Sequence, residues 1–182
     1  MRCLAVLCCV AATSLAAQQP IPPAPDSARA ESARTPTPPS PEQQRFLDGL
    51  RTATRGLAQL KDGVGRVTRA QATSDTASQR KAGRFLAGLC GSARAFMKRG
   101  RPRLNPTVYA DSVQLTARRL VMQLDSLIAH AASCEEGAAA TPLPIATDLG
   151  KRVKTYDAAV RDFRIAVGLP VKDDTSKAAR HP

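Results

Sequence analysis

The sequence predicts an all-α protein, a small antiparallel bundle of about four helices that follows a signal peptide and a proline-rich linker. Three observations support this fold class. Apolar residues recur at alternating spacings of three and four in four separate segments, which is the period of an amphipathic helix. Signals for helix starts and stops separate these segments. No segment alternates apolar and polar residues as a half-buried strand does.

The N-terminal segment has the three parts of a signal peptide. Arg2 supplies positive charge, residues 3–12 form an apolar run, and Ser14 and Ala16 place small residues before the expected cleavage site. The run is shorter than the ~18 apolar residues that span a bilayer. We therefore predict a cleaved signal peptide at residues 1–16, no transmembrane segment in the mature chain, and a periplasmic or secreted location.

Two further segments lack the pattern of a packed core. Residues 17–40 are rich in proline, alanine, serine and threonine, and predict a disordered linker. Residues 169–182 are polar and predict a disordered tail. The helical bundle domain is expected between them, at residues 41–168.

The first helix has the strongest signals. Ser40 is the expected N-cap, Pro41 suits the first helical position, and Gln43 completes a capping box. Seven apolar residues then form one stripe along roughly eight turns. They are Phe46, Leu50, Ala53, Leu57, Leu60, Val64 and Val67.

The other three helices are predicted to open at residues with cap chemistry. These are Thr76 with Gln79, Asn105 with Pro106, and Thr141 with Pro142. Glycine and proline are expected to end the second helix at residues 100–102 and the fourth at residues 168–170. Helices of similar length with short connections favour an antiparallel arrangement around one core.

Glycine recurs every seven residues along the first helix, at Gly49, Gly56 and Gly63. Each glycine inside a helix costs about 1 kcal/mol relative to alanine, so a close helix contact is the expected reason for the series. We favour a contact within the chain. A homo-oligomer formed through the same edge is the alternative.

Cys90 and Cys134 are the two cysteines that remain after removal of the signal peptide, and export favours a disulfide between them. In a straight helical hairpin, however, the two residues differ in height by roughly 27 Å, whereas a disulfide needs Cα atoms about 5–6 Å apart. Three outcomes remain open: the pair is not bonded, the second helix breaks near Gly91, or the chain folds back after Leu127.

The densest basic run is Lys98-Arg99-Gly100-Arg101-Pro102-Arg103, and its four basic side chains are the anion-binding candidates. The run resembles an AT-hook, whose arginines enter the narrow minor groove of A·T-rich DNA. Export away from the chromosome and its place between two helices argue against that use. We expect no nucleic-acid partner, and DNA binding remains the alternative if the signal-peptide prediction is wrong.

Composition narrows the function without specifying it. The formal net charge is +12 and the isoelectric point is about 10.3, which favours association with an anionic surface, polymer or acidic protein. The sequence has no metal-ligand spacing, haem motif or phosphate-binding loop, and its six aromatic residues lie on or beside the apolar stripes, where we expect them in the core.

The leading hypothesis is a non-enzymatic binding module of the bacterial envelope without a cofactor. A chaperone-like or adaptor role is an alternative. An enzyme that uses the bundle interior is the rival class, and it would require polar or ionisable residues on the inward stripes.

Overall fold

The fold is an all-α bundle, as the sequence predicts. A computed structural model describes residues 38–73 and 75–171. The four helices are α1 (Pro41–Gln71), α2 (Thr76–Gly100), α3 (Asp111–Gly137) and α4 (Pro142–Ala166), and two short 3₁₀ turns, Arg101–Arg103 and Pro106–Val108, join α2 to α3. Those residues include no strand, and none of their helices combines the length and apolarity that a bilayer span requires. The predicted signal peptide, residues 17–37 of the predicted linker and residues 172–182 of the predicted tail lie outside the described residues.

Helix α1 begins with the predicted capping box. The Ser40 hydroxyl accepts a hydrogen bond from the backbone N–H of Gln43 (3.2 Å), and the Gln43 side chain accepts one from the backbone N–H of Ser40 (2.9 Å). Pro41 occupies the first turn, where its missing N–H costs no hydrogen bond. Local chemistry alone sets this helix start.

Two predicted helix starts are wrong. Thr76 does not cap α2, because the carboxylate of Asp75 accepts from the N–H groups of Ala77 (2.9 Å) and Ser78 (3.1 Å). Asn105 and Pro106 open the second 3₁₀ turn rather than α3, which begins at Asp111 without a side-chain cap.

Aromatic packing explains why the turn that starts at Pro106 does not continue as a helix. Tyr109 has extended backbone angles, and its ring packs 5.2 Å from Phe46 of α1 and 5.3 Å from Phe163 of α4. The rings of Phe46 and Phe163 also touch, at 5.1 Å. This three-ring cluster closes one end of the bundle and holds the α2–α3 connection against α1.

The glycine series of α1 lies against α2 of the same chain. A Cβ at Gly49 would be 2.9 Å from the carbonyl oxygen of Gly100, and a Cβ at Gly56 would be 2.5 Å from that of Ala93. At Gly63 the nearest atom would be Leu86 Cδ1, at 2.7 Å. The edge is therefore occupied by α2, and a homo-oligomer could use it only if α2 were displaced.

One apolar core runs through all four helices, and no polar or charged residue is buried in the described chain. The prediction that all aromatic residues belong to this core is wrong for Phe85, which is 46% exposed with the Arg66 guanidinium 4.4 Å above its ring. Its neighbour Leu86 is fully buried. Because a helix turns by about 100° between successive residues, Phe85 cannot face the core in the same direction as Leu86.

Cys90 and Cys134 are brought to disulfide distance. Their Cα atoms are 5.9 Å apart and their sulfur atoms 2.04 Å apart, and both side chains are buried. Neither the break near Gly91 nor the fold-back after Leu127, two of the three alternatives, occurs, since α2 and α3 are continuous.

The predicted difference in height between Cys90 and Cys134 is wrong because of the path of the connection between α2 and α3. Gly100, at the end of α2, lies opposite Gly49, but the carbonyl of Val108 accepts from the Gln43 side chain (3.4 Å), nearer the start of α1. The chain therefore continues beyond the end of α2 before α3 turns back. Because α3 begins at Asp111 instead of Pro106, and residues 101–110 carry the chain past the end of α2, the two cysteines come level.

Candidate anion-binding surface

The basic run of residues 98–103 is helical throughout. Lys98, Arg99 and Gly100 form the last turn of α2, and Arg101–Arg103 form a 3₁₀ turn. Gly100 is buried, and a Cβ there would be 2.5 Å from the carbonyl oxygen of Gly49. An AT-hook needs an extended arm, so this segment could enter a minor groove only by leaving its contact with α1.

Arg101 is held by Asp125 of α3 rather than projecting freely. Its Nε donates to Asp125 Oδ1 (2.6 Å) and its Nη2 to Oδ2 (2.9 Å), the two-point geometry that suits a guanidinium and a carboxylate. The hydrogen bond from Asp125 raises the pKa of Arg101. This anion-binding candidate therefore joins two helices, with its charge already balanced.

The other three candidates are exposed and lack a balancing acid. Lys98, Arg99 and Arg103 have no carboxylate oxygen within 4 Å among the described residues. The Arg99 guanidinium lies 5.7 Å from the ring centroid of Phe96. Lys98 and Arg99 also stand where the carbonyl end of α2 favours cations, so they contribute to helix capping as well as to surface charge.

A fourth base, Arg45 of α1, joins this group in space. Arg45 is exposed and lies one turn before Gly49, where an added Cβ would be 2.8 Å from the Cβ of Arg103. Arg45 is therefore about one helical turn from the point where Arg103 meets α1. We call the exposed side chains of Arg45, Lys98, Arg99 and Arg103 the basic end. Sequence reasoning missed Arg45 because its proximity depends on the register of α1 against α2, which the glycine series alone could have indicated.

A groove between α3 and α4 contains the only histidine in the described residues, His130. The ring Nδ1 of His130 is 2.7 Å from the carbonyl oxygen of Ser126, one turn back on its own helix. Asp148 across the groove accepts from Arg152 Nε (2.9 Å), which lowers the pKa of that carboxyl group. No hydrogen bond joins His130 to Asp148 or to Ser133, so these groups are not arranged for proton relay.

Metal ligands are also not gathered in the described part of the chain, where no group of three or more histidine, cysteine, aspartate or glutamate side chains could hold an ion. Comparison of the chain with protein-family models, curated proteins and solved structures finds no match. Inference about function therefore starts from the side chains described above.

Proposed function

We propose that this protein is an exported, non-enzymatic binding module of the bacterial envelope, and that its basic end contacts an anionic partner. The observation that carries the proposal is the clustering of Arg45, Lys98, Arg99 and Arg103 with no carboxylate within 4 Å in the described residues. Several other bases of the bundle are balanced, as Arg94 is by Glu135. Unbalanced charge at one end favours an anionic ligand there.

Two further observations support the proposal. Cys90 and Cys134 stand at disulfide distance, and such pairs persist in oxidising compartments outside the cytoplasm. Apart from the Tyr156 hydroxyl, the fully buried side chains of the described residues are apolar, so the interior offers little of the inward polar chemistry that the rival enzyme hypothesis requires.

The test compares two triple variants that remove the same charge. Lys98→Gln/Arg99→Gln/Arg103→Gln neutralises three of the four bases of the basic end. Lys151→Gln/Lys154→Gln/Arg161→Gln neutralises three exposed bases of α4, also without a carboxylate within 4 Å in the described chain. Binding to heparin, a soluble polyanion, is measured over a range of salt concentrations.

The first variant should bind heparin more than about tenfold more weakly than the wild type, because each base near an anionic surface contributes about 1 kcal/mol. The α4 variant should change affinity much less. Equal losses in the two variants would contradict a localised surface and favour charge spread over the whole bundle. Affinity that does not fall with rising salt would contradict an electrostatic contact altogether.

A further inference from the structure

Helix α3 exposes two large apolar side chains on its outward face. Leu115 is 65% exposed and Met122 is 60% exposed. They are seven residues apart, so they project from the same side of the helix, two turns from each other. The side chains that pack α3 into the core, including Leu120 and Leu124, are fully buried on the opposite side.

Two arginines accompany this apolar pair. Arg118 and Arg119 are exposed and lie between Leu115 and Met122 along the helix. No carboxylate lies within 4 Å of either guanidinium in the described residues. An outward face with large apolar side chains among unbalanced arginines has the composition of a helix that lies in a membrane interface.

This face adjoins the basic end. Met122 lies one turn before Asp125, which is bound by Arg101 at the end of α2. Lys98 precedes Arg101 by one turn, so it lies on the edge of α2 that faces α3. Arg118 lies two turns before Asp125 on the same edge of α3. Lys98, Arg118, Arg119 and the two apolar side chains therefore lie on one surface across α2 and α3.

We infer that this surface binds an anionic lipid bilayer, with Leu115 and Met122 entering the interfacial region and the surrounding bases contacting lipid phosphates. The inference rests on the proposed function and names its partner. A soluble polyanion would use the bases but gains nothing from exposed leucine and methionine. A second copy of the chain would bring Arg118 and Arg119 against their own equivalents, which is unfavourable.

The shape of the surface also favours lipid over an acidic protein. Leu115 and Met122 protrude from the outward side of α3, and neither lines the groove between α3 and α4 that contains His130. Protein partners usually insert an anchor side chain into a pocket. A bilayer interface instead accepts protruding apolar side chains directly.

The first experiment measures partition onto vesicles of phosphatidylglycerol and phosphatidylcholine, with pure phosphatidylcholine vesicles for comparison. Leu115→Gln/Met122→Gln should partition onto the anionic vesicles at least about tenfold more weakly than the wild type, since it removes apolar surface that the bilayer would bury. The control is Leu143→Gln. Leu143 is 44% exposed at the opposite end of the bundle, and its replacement should leave partition unchanged.

The second experiment uses the absence of tryptophan from the sequence. Met122→Trp introduces a single fluorescent reporter at the proposed contact, and its emission should shift to shorter wavelength when anionic vesicles are added. The same reporter at Leu143→Trp should not respond. Circular dichroism of each variant checks that the bundle is intact, and exposed positions should tolerate these substitutions.

The outcomes separate the inference from the proposed function. If Leu115→Gln/Met122→Gln keeps wild-type partition, or the Met122→Trp emission does not shift, the lipid inference is overturned while heparin binding can still support the basic end. If wild-type protein binds neither heparin nor anionic vesicles, both fail. A concentration-dependent doubling of mass that Leu115→Gln/Met122→Gln abolishes would also overturn the inference, in favour of self-association.

Discussion

Gly56 lies at a close approach of α1 and α2, and an alanine at this position should destabilise the protein. The added Cβ would be 2.5 Å from the carbonyl oxygen of Ala93 and 3.1 Å from Met97 Cγ. The first of these atoms belongs to the backbone, so the helices themselves must shift rather than one flexible side chain. Overpacking of this kind costs about 1–3 kcal/mol, against about 1 kcal/mol that alanine recovers through helix propensity. We expect a net loss of up to about 2 kcal/mol.

Gly88 provides the matched control, because the same substitution there should have the opposite effect. It lies inside α2 on the exposed side, and an added Cβ would have no neighbour within 4 Å. Gly88→Ala should therefore stabilise the protein by about 0.5–1 kcal/mol. Comparing the two variants separates the energetic cost of crowding the α1–α2 contact from the gain in helix propensity.

Urea unfolding followed by circular dichroism at 222 nm measures both changes, with all samples kept in the same redox state. Light scattering on the folded proteins checks that the mass is unchanged, as a contact within the chain requires. The reasoning would be refuted if Gly56→Ala were as stabilising as Gly88→Ala, or if Gly56→Ala changed the mass of the native particle.

Four further predictions concern other features of the chain. In denaturant without reductant, alkylation should leave Cys90 and Cys134 unmodified, and two alkylated thiols would contradict the bond. Reduction should lower stability by up to about 4 kcal/mol for a sequence separation of 44 residues, and the variant Cys90→Ala/Cys134→Ala should not respond to reductant. Tyr156→Phe should be neutral or stabilise by up to about 1 kcal/mol, because the buried hydroxyl has no hydrogen-bond partner; a marked loss of thermal stability would show an undetected partner. Hydrogen bonds from Ser78 and the backbone lower the pKa of Asp75. The contribution of its carboxylate to the free energy of unfolding is therefore complete above the unfolded pKa near 4 and is lost as the pH falls through the lower folded pKa. The thermal stability of Asp75→Asn should depend less on pH in this acid range than that of the wild type, and parallel pH profiles would show that Asp75 does not stabilise the helix in this way. N-terminal sequencing of exported protein should begin near Ala17, and a sequence that retains residue 1 would contradict the cleaved signal peptide.

The helix pattern was predictable where a local rule acts alone. The Ser40 capping box needs only residues three positions apart, and α4 opens after Thr141 and ends before Gly168, whose φ is 71°. The same kind of rule failed where another contact was stronger. Asn105 could have opened a long helix, but Tyr109 instead packs with aromatic rings from both terminal helices of the bundle.

The pairing of Cys90 with Cys134 could be predicted from the sequence, but the geometry that allows it could not. Compartment and cysteine count favoured a bond, but the height of Cys90 against Cys134 depends on the path of residues 101–110. That path is fixed by Val108 and Tyr109 against α1, contacts that span more than sixty positions of sequence. Helical rise alone cannot supply this information.

The basic end was predictable as composition but not as a surface. The run of bases is visible in the sequence, whereas the pairing of Arg101 with Asp125 joins residues 24 apart and removes one candidate. Arg45 entered the group only through the register of two packed helices. The sequence also did not predict the exposure of Leu115 and Met122, because an apolar residue beside a helical stripe can face either the core or water.

The cysteine pair has a consequence for resistance to proteolysis. By sequence, the bonds after Lys98, Arg99 and Arg103 are the obvious trypsin sites, but they lie in helical turns, and Leu104 beyond them is 1% exposed. All of them also lie between Cys90 and Cys134. When the two sulfurs are bonded, a single cut anywhere in that interval leaves both fragments covalently joined, so the nicked chain keeps its four helices together and separates on a gel only after reduction.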